Sequence, residues 1–203
     1  MSRPDLLIAT TNPGKWREFA ELLAGLPARL VSPADMHITE AVEETGQNYA
    51  ANARLKAEAL ARRSGLVTLG DDSGLEVAAL GGRPGLYSAR YAGPGASDAD
   101  RREKLLQELS QLPAPRPARF VCAAAVARPG GAVREFEGEC LGEIAFEARG
   151  AGGFGYDPIF FVPERGATMA ELPREIKNSI SHRARAVQAA WAYLEAVLAE
   201  GKT

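Results

Sequence analysis

Several residue types on which whole classes of protein depend are scarce in this chain. Its 203 residues include only two cysteines, Cys122 and Cys140. Neither sits in a Cys-x-x-Cys spacing, which argues against a disulfide framework or a zinc site and for two reduced, partly buried thiols. Histidine is as rare, with His37 and His182 alone, and no Ser-His-Asp or Cys-His arrangement has supporting context, so histidine nucleophiles and triads drop out. No uncharged run approaches the roughly 18 residues that span a membrane, and the start Met1-Ser2-Arg3-Pro4-Asp5 lacks the apolar stretch of a signal peptide; a cytoplasmic protein with no membrane partner is expected. An excess of positive charge is missing too. A formal net charge of -2 argues against a generally basic surface for nucleic acid, while leaving room for a local cationic pocket.

What is present, 46% hydrophobic and 25% charged residues, is the composition of an ordinary globular protein long enough to bury a sizeable core. The most informative stretch runs from Leu69 to Gly93. The apolar run Leu66 to Leu69 meets Asp71 and Asp72 and then Ser73 and Gly74, a pattern that predicts two acids at the end of a strand followed by a polar turn. Adjacent side chains on extended backbone point to opposite faces, so both acids can be buried only if something cationic receives them, and a divalent metal is the simplest receiver. Gly81, Gly82, Pro84 and Gly85 then force an irregular path that leads to Ser88, Arg90 and Tyr91, hydroxyl and guanidinium groups that suit a phosphate and its metal.

Leu6 to Ala9, then Thr10-Thr11-Asn12-Pro13-Gly14-Lys15, then Trp16, Phe19, Leu22 and Leu23 at helical spacing read as strand, turn and helix. Such a turn is an anion site at a helix N-terminus with a lysine added, or a plain helix cap built on Thr11 or Asn12; the two are compatible. A P-loop is ruled out, since Ala9 and Trp16 stand where Gly and Ser or Thr would be needed. Lysine is confined to positions 15, 56, 104, 177 and 202, the other nineteen cations being arginine. Composition bias accounts for that in general, yet Lys15 and Lys177 lie inside polar motifs where a compact ammonium suits phosphate.

A second strand is expected at Leu30 and Val31, and a long helix from Asn48 to a stop at Gly65. Glu43 and Glu44 just before that helix matter only if the fold carries them to Asp71 and Asp72. Ser97-Asp98-Ala99-Asp100 predicts a helix start, with Leu105, Leu106, Leu109 and Leu112 as its apolar face. Phe120 to Val126 and Val133 to Leu141 predict a hairpin about Pro129-Gly130-Gly131, hence a mixed sheet. The glycines around Phe154, followed by Tyr156-Asp157-Pro158 and a strand at Ile159 to Val162, suit either close approach to a flat ligand or the relief of crowding in a loop. A last helix is expected from Ser181, with Val187, Trp191, Leu194 and Leu198 on one face. The chain shows no repeat or convincing linker, so one domain over residues 1–203, with two lobes, is expected.

The ordered set Ala9 to Lys15, Glu44-Thr45-Gly46, Asp71-Asp72-Ser73-Gly74-Leu75, Gly81 to Gly85, Ser88-Ala89-Arg90-Tyr91, Gly153 to Phe160 and Ser181-His182-Arg183 resembles the inosine/xanthosine triphosphate pyrophosphatase family, the Ham1-like or RdgB-like proteins, over nearly the whole chain. The resemblance implies an α/β protein with an elongated mixed β-sheet, flanking helices and two lobes around a central cleft, and a homodimer. It also implies a Mg2+-dependent cut of non-canonical purine nucleoside triphosphates (ITP, dITP, XTP) to monophosphate and pyrophosphate, which would cleanse the nucleotide pool. On this likeness Thr10, Thr11, Asn12, Pro13, Gly14 and Lys15 would hold the triphosphate, Glu43 and Asp72 the metal, and Asp72 would activate water. Ser73 would touch the nucleotide, and Phe154, Gly155, Tyr156, Asp157, Lys177, His182 and Arg183 would surround base and sugar. The chain departs from the family at Ala51 and Ile176, where members commonly carry Glu; the first bears on the surroundings of the metal and the second on the setting of Lys177. Alternatives are a related pyrophosphatase preferring a pyrimidine or modified base, separable by a substrate panel, and a nucleotide-sensing module without turnover, against which the acids beside a triphosphate argue.

Overall fold

Strand β1 (Asp5–Ile8) is apolar and buried on both faces from Leu6 to Ile8, as a strand covered by helices on either side must be. The computed structural model describes residues 3–200; Lys202 and the first two residues of the chain start read above lie outside them. In chain order the described residues form β1, α1 (Pro13–Leu22), β2 (Arg29–Val31), α2 (Tyr49–Ser64), β3 (Val67–Val77), α3 (Asp98–Glu108), β4 (Pro117–Ala127), β5 (Val133–Ile144), β6 (Phe160–Val162), β7 (Ala167–Thr168), α4 (Arg174–Ile180) and α5 (His182–Glu200). The strands hydrogen-bond in the order β2-β1-β3-β4-β5-β6-β7. β1 is parallel to β2 and to β3, whereas β5, β6 and β7 are successively antiparallel, so the sheet is mixed, as expected.

The chain divides into two units, one built from the segments up to Asp72, Cys122–Gly138 and from Arg183 on, the other from Ser73–Val121 and Glu139–His182. In the first unit, strand alternation sorts side chains to two helical layers. Leu6, Ile8, Leu69 and the thiol of Cys122 pack with Phe19 of α1 and with Val187, Ala190 and Leu194 of α5. Leu7 and Ala9 pack with Val31 and with Leu60 of α2, and the small side chains Ala53, Ala57 and Ala61 of α2 meet Ala123, Ala125 and Ala127 of β4. This second layer is close: a Cβ on Gly70 would stand 2.7 Å from the Ala53 carbonyl oxygen, so glycine there is what lets α2 lie against β3. The second unit has its own core, in which Leu75, Val77, Leu105, Leu109, Phe120, Ile159 and Phe160 are central.

Local signals set the helix ends. Asn48 caps α2 by accepting from the Ala51 N–H, and Gly65 closes it at φ +71°, a left-handed position that favours glycine. Ser97 and Asp100 form a capping box at the start of α3. Three expectations need correction. The strand bearing the acids does not end in a turn at Ser73-Gly74 but continues to Val77, because β4 accompanies it as a neighbour on one edge. A separate helix, α4, precedes α5, and Ser181 lies between them. Ile159 belongs to a 3-10 turn with Asp157, and β6 begins at Phe160.

Candidate active site

In the first unit α1 carries the chain from β1 to β2 along one face, and α2 carries it from β2 to β3 along the other. Where successive connections leave a parallel sheet on opposite sides, the carboxyl ends of its strands are the usual ligand crevice. β1 stops there: the Ala9 N–H donates to the Leu69 carbonyl (2.8 Å) and the chain turns away, while β3 runs on and presents Asp71 and Asp72.

Each acid is received on its own face by a protein cation, where the sequence suggested a metal. Asp71, 1% exposed, accepts on Oδ2 from Lys15 Nζ (2.8 Å) and Arg183 Nη2 (3.2 Å), and Arg183 Nη1 also pairs with Glu18. Two acids and two cations thus balance. Burial would raise the proton affinity of Asp71, but Lys15, Arg183 and Lys56 together outweigh it and hold the carboxyl well below the usual carboxylate range. Asp72 lies on the α2 face. Its Oδ2 accepts from Asn52 Nδ2 (2.9 Å), and Lys56 Nζ stands 3.9 Å from Oδ1 and donates to Glu44 Oε1 (2.6 Å). Here burial prevails over Lys56 and Asn52, and the carboxyl is raised. Two adjacent acids are thereby driven apart in proton affinity, one fixed as an anion and the other readier to take a proton.

The turn after β1 is a side-chain cap. Thr10 Oγ1 accepts from the Asn12 N–H (3.1 Å), and Asn12 Oδ1 accepts from the N–H groups of Gly14 (2.8 Å) and Lys15 (3.0 Å). Pro13 has no N–H to offer. The first amides of α1 are therefore already satisfied, and an anion arriving here would meet the Lys15 ammonium and the hydroxyls of Thr10 and Thr11 rather than a bare helix end. Glu43, expected at the metal, is exposed, and it is its neighbour Glu44 that reaches Lys56. Sequence reasoning passed over Asn52, Lys56 and Glu18. Lys56 could have been found from the scarcity of lysine, and Asn52 precedes it by one helical turn on the same face.

The second unit holds the remaining residues. Ser73, half-buried, is the next position of β3. Asp157 Oδ2 accepts from the Phe154 N–H (2.8 Å) and from Lys177 Nζ (2.5 Å), and Lys177 Nζ lies 5.4 Å from the centre of the Phe154 ring. Tyr156 is buried and donates its hydroxyl to the Ser88 carbonyl (2.9 Å). His182 stacks on Phe120 with ring centres 4.7 Å apart. Crowding explains part of the glycine density: a Cβ on Gly153 would fall 2.0 Å from Asp157 Oδ2, and one on Gly150 or Gly152 would strike the backbone of Ala170.

The buried network carries a stability prediction. Arg183→Met removes the cation shared by Asp71 and Glu18 and leaves buried carboxylates undercompensated, which is expected to cost about 3–5 kcal/mol. Urea denaturation of parent and variant measures it; equal midpoints and slopes would show that the network does not hold this unit together.

The model of the Ham1 family matches residues 6–193. A dITP/XTP pyrophosphatase of Geobacter sulfurreducens is 52% identical over 183 residues, 90% of this chain and 92% of that protein. One of Bacillus subtilis is 48% identical over 193 residues, 95% of this chain and 98% of that protein. The solved structure of the Staphylococcus aureus Ham1 protein superposes with a TM-score of 0.83 at 42% identity, covering 95% of this chain and 99% of that one. A HAM1 protein from Coxiella burnetii does so with a TM-score of 0.83 at 40% identity, over 97% and 99%.

Proposed function

The chain belongs to the Ham1 family, and from that premise we propose that it hydrolyses non-canonical purine nucleoside triphosphates, dITP, XTP and ITP, to the monophosphate and pyrophosphate, with residues 1–203 acting as a single pyrophosphatase domain in a cytoplasmic homodimer. The observation that carries the chemistry is the pair Asp71 and Asp72. Asp71 is held ionised by Lys15 and Arg183, while Asp72 has its proton affinity raised by burial, the setting of a general base. In this reading Asp72 takes a proton from water as the water attacks phosphorus, and pyrophosphate leaves. Lys15, oriented by Asp71, faces the triphosphate together with Thr10, Thr11, Asn12, Pro13 and Gly14.

Among the described residues no group of three or more His, Cys, Asp or Glu side chains is gathered as a cage for a cation. Mg2+ is commonly held by one or two carboxylates together with substrate phosphates, and Asp72 and Glu43 are the proposed holders, with Glu44 offering the same oxygen chemistry one position on. Bound there, magnesium would neutralise phosphate charge and acidify water. Ser73, Phe154, Gly155, Tyr156, Asp157, Lys177, His182 and Arg183 are read as serving the base and sugar. Phe154 offers a stacking face and Lys177 a donor beside it. Arg183 is assigned there on resemblance, since both its terminal nitrogens are engaged with carboxylates.

With dITP and a divalent metal, pyrophosphate is expected to appear in step with the monophosphate, with no orthophosphate, and a chelator is expected to stop the reaction. Ion chromatography of the products decides; orthophosphate released together with a nucleoside diphosphate would sink the assignment.

A further inference from the structure

We infer that Asp98 and Arg102 are positioning residues for base selection, acting through the peptide of Gly155. The inference rests on the reading of Phe154 as the face on which the base stacks. Sequence alone marks Asp98 only as part of a helix start, and nothing in it singles out Arg102. In the structure the two lie one turn apart on the same face of α3. Asp98 Oδ2 accepts from the Gly155 N–H at 2.7 Å, and Arg102 Nη1 donates to the Gly155 carbonyl at 2.7 Å. A single residue of the glycine loop is thus gripped by both of its backbone polar groups, each time by a charged partner, the stronger class of hydrogen bond.

Gly155 is where such a grip has an effect. Its φ is +59° and nothing lies within 4 Å of where a Cβ would stand, so no side chain of its own anchors this left-handed position and glycine leaves the backbone the most freedom. The side chains on either side need fixing. Phe154 presents its ring to the Lys177 ammonium, with its own N–H held by Asp157, and Tyr156 is tied by its hydroxyl to Ser88. Asp98 is in turn steadied by Arg101, which pairs with it while donating to the carbonyls of Ala89 (3.0 Å) and Ala96 (2.6 Å). α3 therefore sets the peptide that follows Phe154, and with it the plane that the aromatic ring offers.

The test is steady-state kinetics with dITP and dATP on the full chain and on Arg102→Ala, Arg102→Lys, Asp98→Asn and Phe154→Ala, each with a melting temperature. Arg102→Ala leaves the capping box of α3 untouched. It is expected to raise KM for dITP about 10-fold or more, the loss that removal of one hydrogen bond to a charged group brings. It should leave kcat near the parent's and narrow the preference for dITP over dATP. Arg102→Lys should restore part of the loss, and Asp98→Asn, which keeps an acceptor for the Gly155 N–H but loses the charge, should raise KM less than Arg102→Ala does. A raised KM in Phe154→Ala with parental KM and preference in Arg102→Ala would overturn this inference and leave the stacking reading standing. Parental KM in Phe154→Ala would overturn both. A lowered melting temperature in Arg102→Ala with KM unchanged would make the grip a strut of the fold and nothing more.

Discussion

Asp72→Asn is expected to lower kcat for pyrophosphate release by about 10²- to 10⁴-fold, the usual worth of a general base. The substitution keeps the size of the side chain, and the oxygen of the new amide can still accept from Asn52 Nδ2, which in the parent donates to Asp72 at 2.9 Å. What is lost is the ability to take a proton and the charge that faces Lys56. The same assignment fixes the pH dependence of the parent. Burial raises the proton affinity of Asp72 in the metal-free chain and a bound cation would lower it again; a base that already carries a proton cannot accept one, so activity is expected to fall once pH is low enough to protonate Asp72. Pyrophosphate assays with dITP, run beside thermal melts, check both points. Turnover within a few-fold of the parent in a folded variant would remove Asp72 from the reaction.

Discrimination at the base is the second large effect: kcat/KM for dITP is expected to exceed that for dATP by roughly 10⁴-fold, the scale on which a site built to hydrogen-bond its substrate rejects an analogue. The structure redistributes the donors that sequence reasoning would enlist. The N–H of Phe154 goes to Asp157, that of Gly155 to Asp98, and the guanidinium of Arg183 to Glu18 and Asp71. A donor beside the Phe154 ring is the ammonium of Lys177, 5.4 Å from the ring centre and itself paired with Asp157. An ammonium has hydrogens to give and no lone pair to receive, so a 6-keto oxygen is welcome there and a 6-amino group sets donor against donor. Guanine keeps the 6-keto oxygen, so its exclusion must turn on the 2-amino group, and xanthine, with oxygen at that position, is expected to pass. A panel of the four deoxynucleotides at equal concentration measures the order. Equal turnover of dITP and dATP would refute the base assignment while leaving the phosphate chemistry in place.

What could be read from sequence is what short-range physics decides. Asn48 and Gly65 bracket α2 as predicted, and Ser97 with Asp100 opens α3, because a cap is a contract among residues three or four apart. The course of β3 beyond Leu69 is a different matter: Asp-Asp-Ser-Gly has the composition of a turn, and only the neighbouring strand keeps it extended. The receivers of the two acids were equally hidden. Arg183 lies 112 positions from Asp71 and 165 from Glu18, distances at which no local pattern announces a pair. Two neighbouring acids do meet positive charge, as the sequence argument required, and among protein groups it comes from Lys15, Lys56 and Arg183.

The placement of the two sulfurs has a practical consequence. Cys122 is completely enclosed, its thiol pushed up to about 12 first by burial and then by Asp71, and Cys140 is 3% exposed. Thiolates, not thiols, react with maleimides and disulfide reagents, so the unaltered chain is close to blank toward such dyes. A cysteine introduced at an exposed position, for instance in place of Glu164 at a surface turn, would be the one site to take label, and fluorescence from this protein can be assigned to one chosen position without first removing either native sulfur.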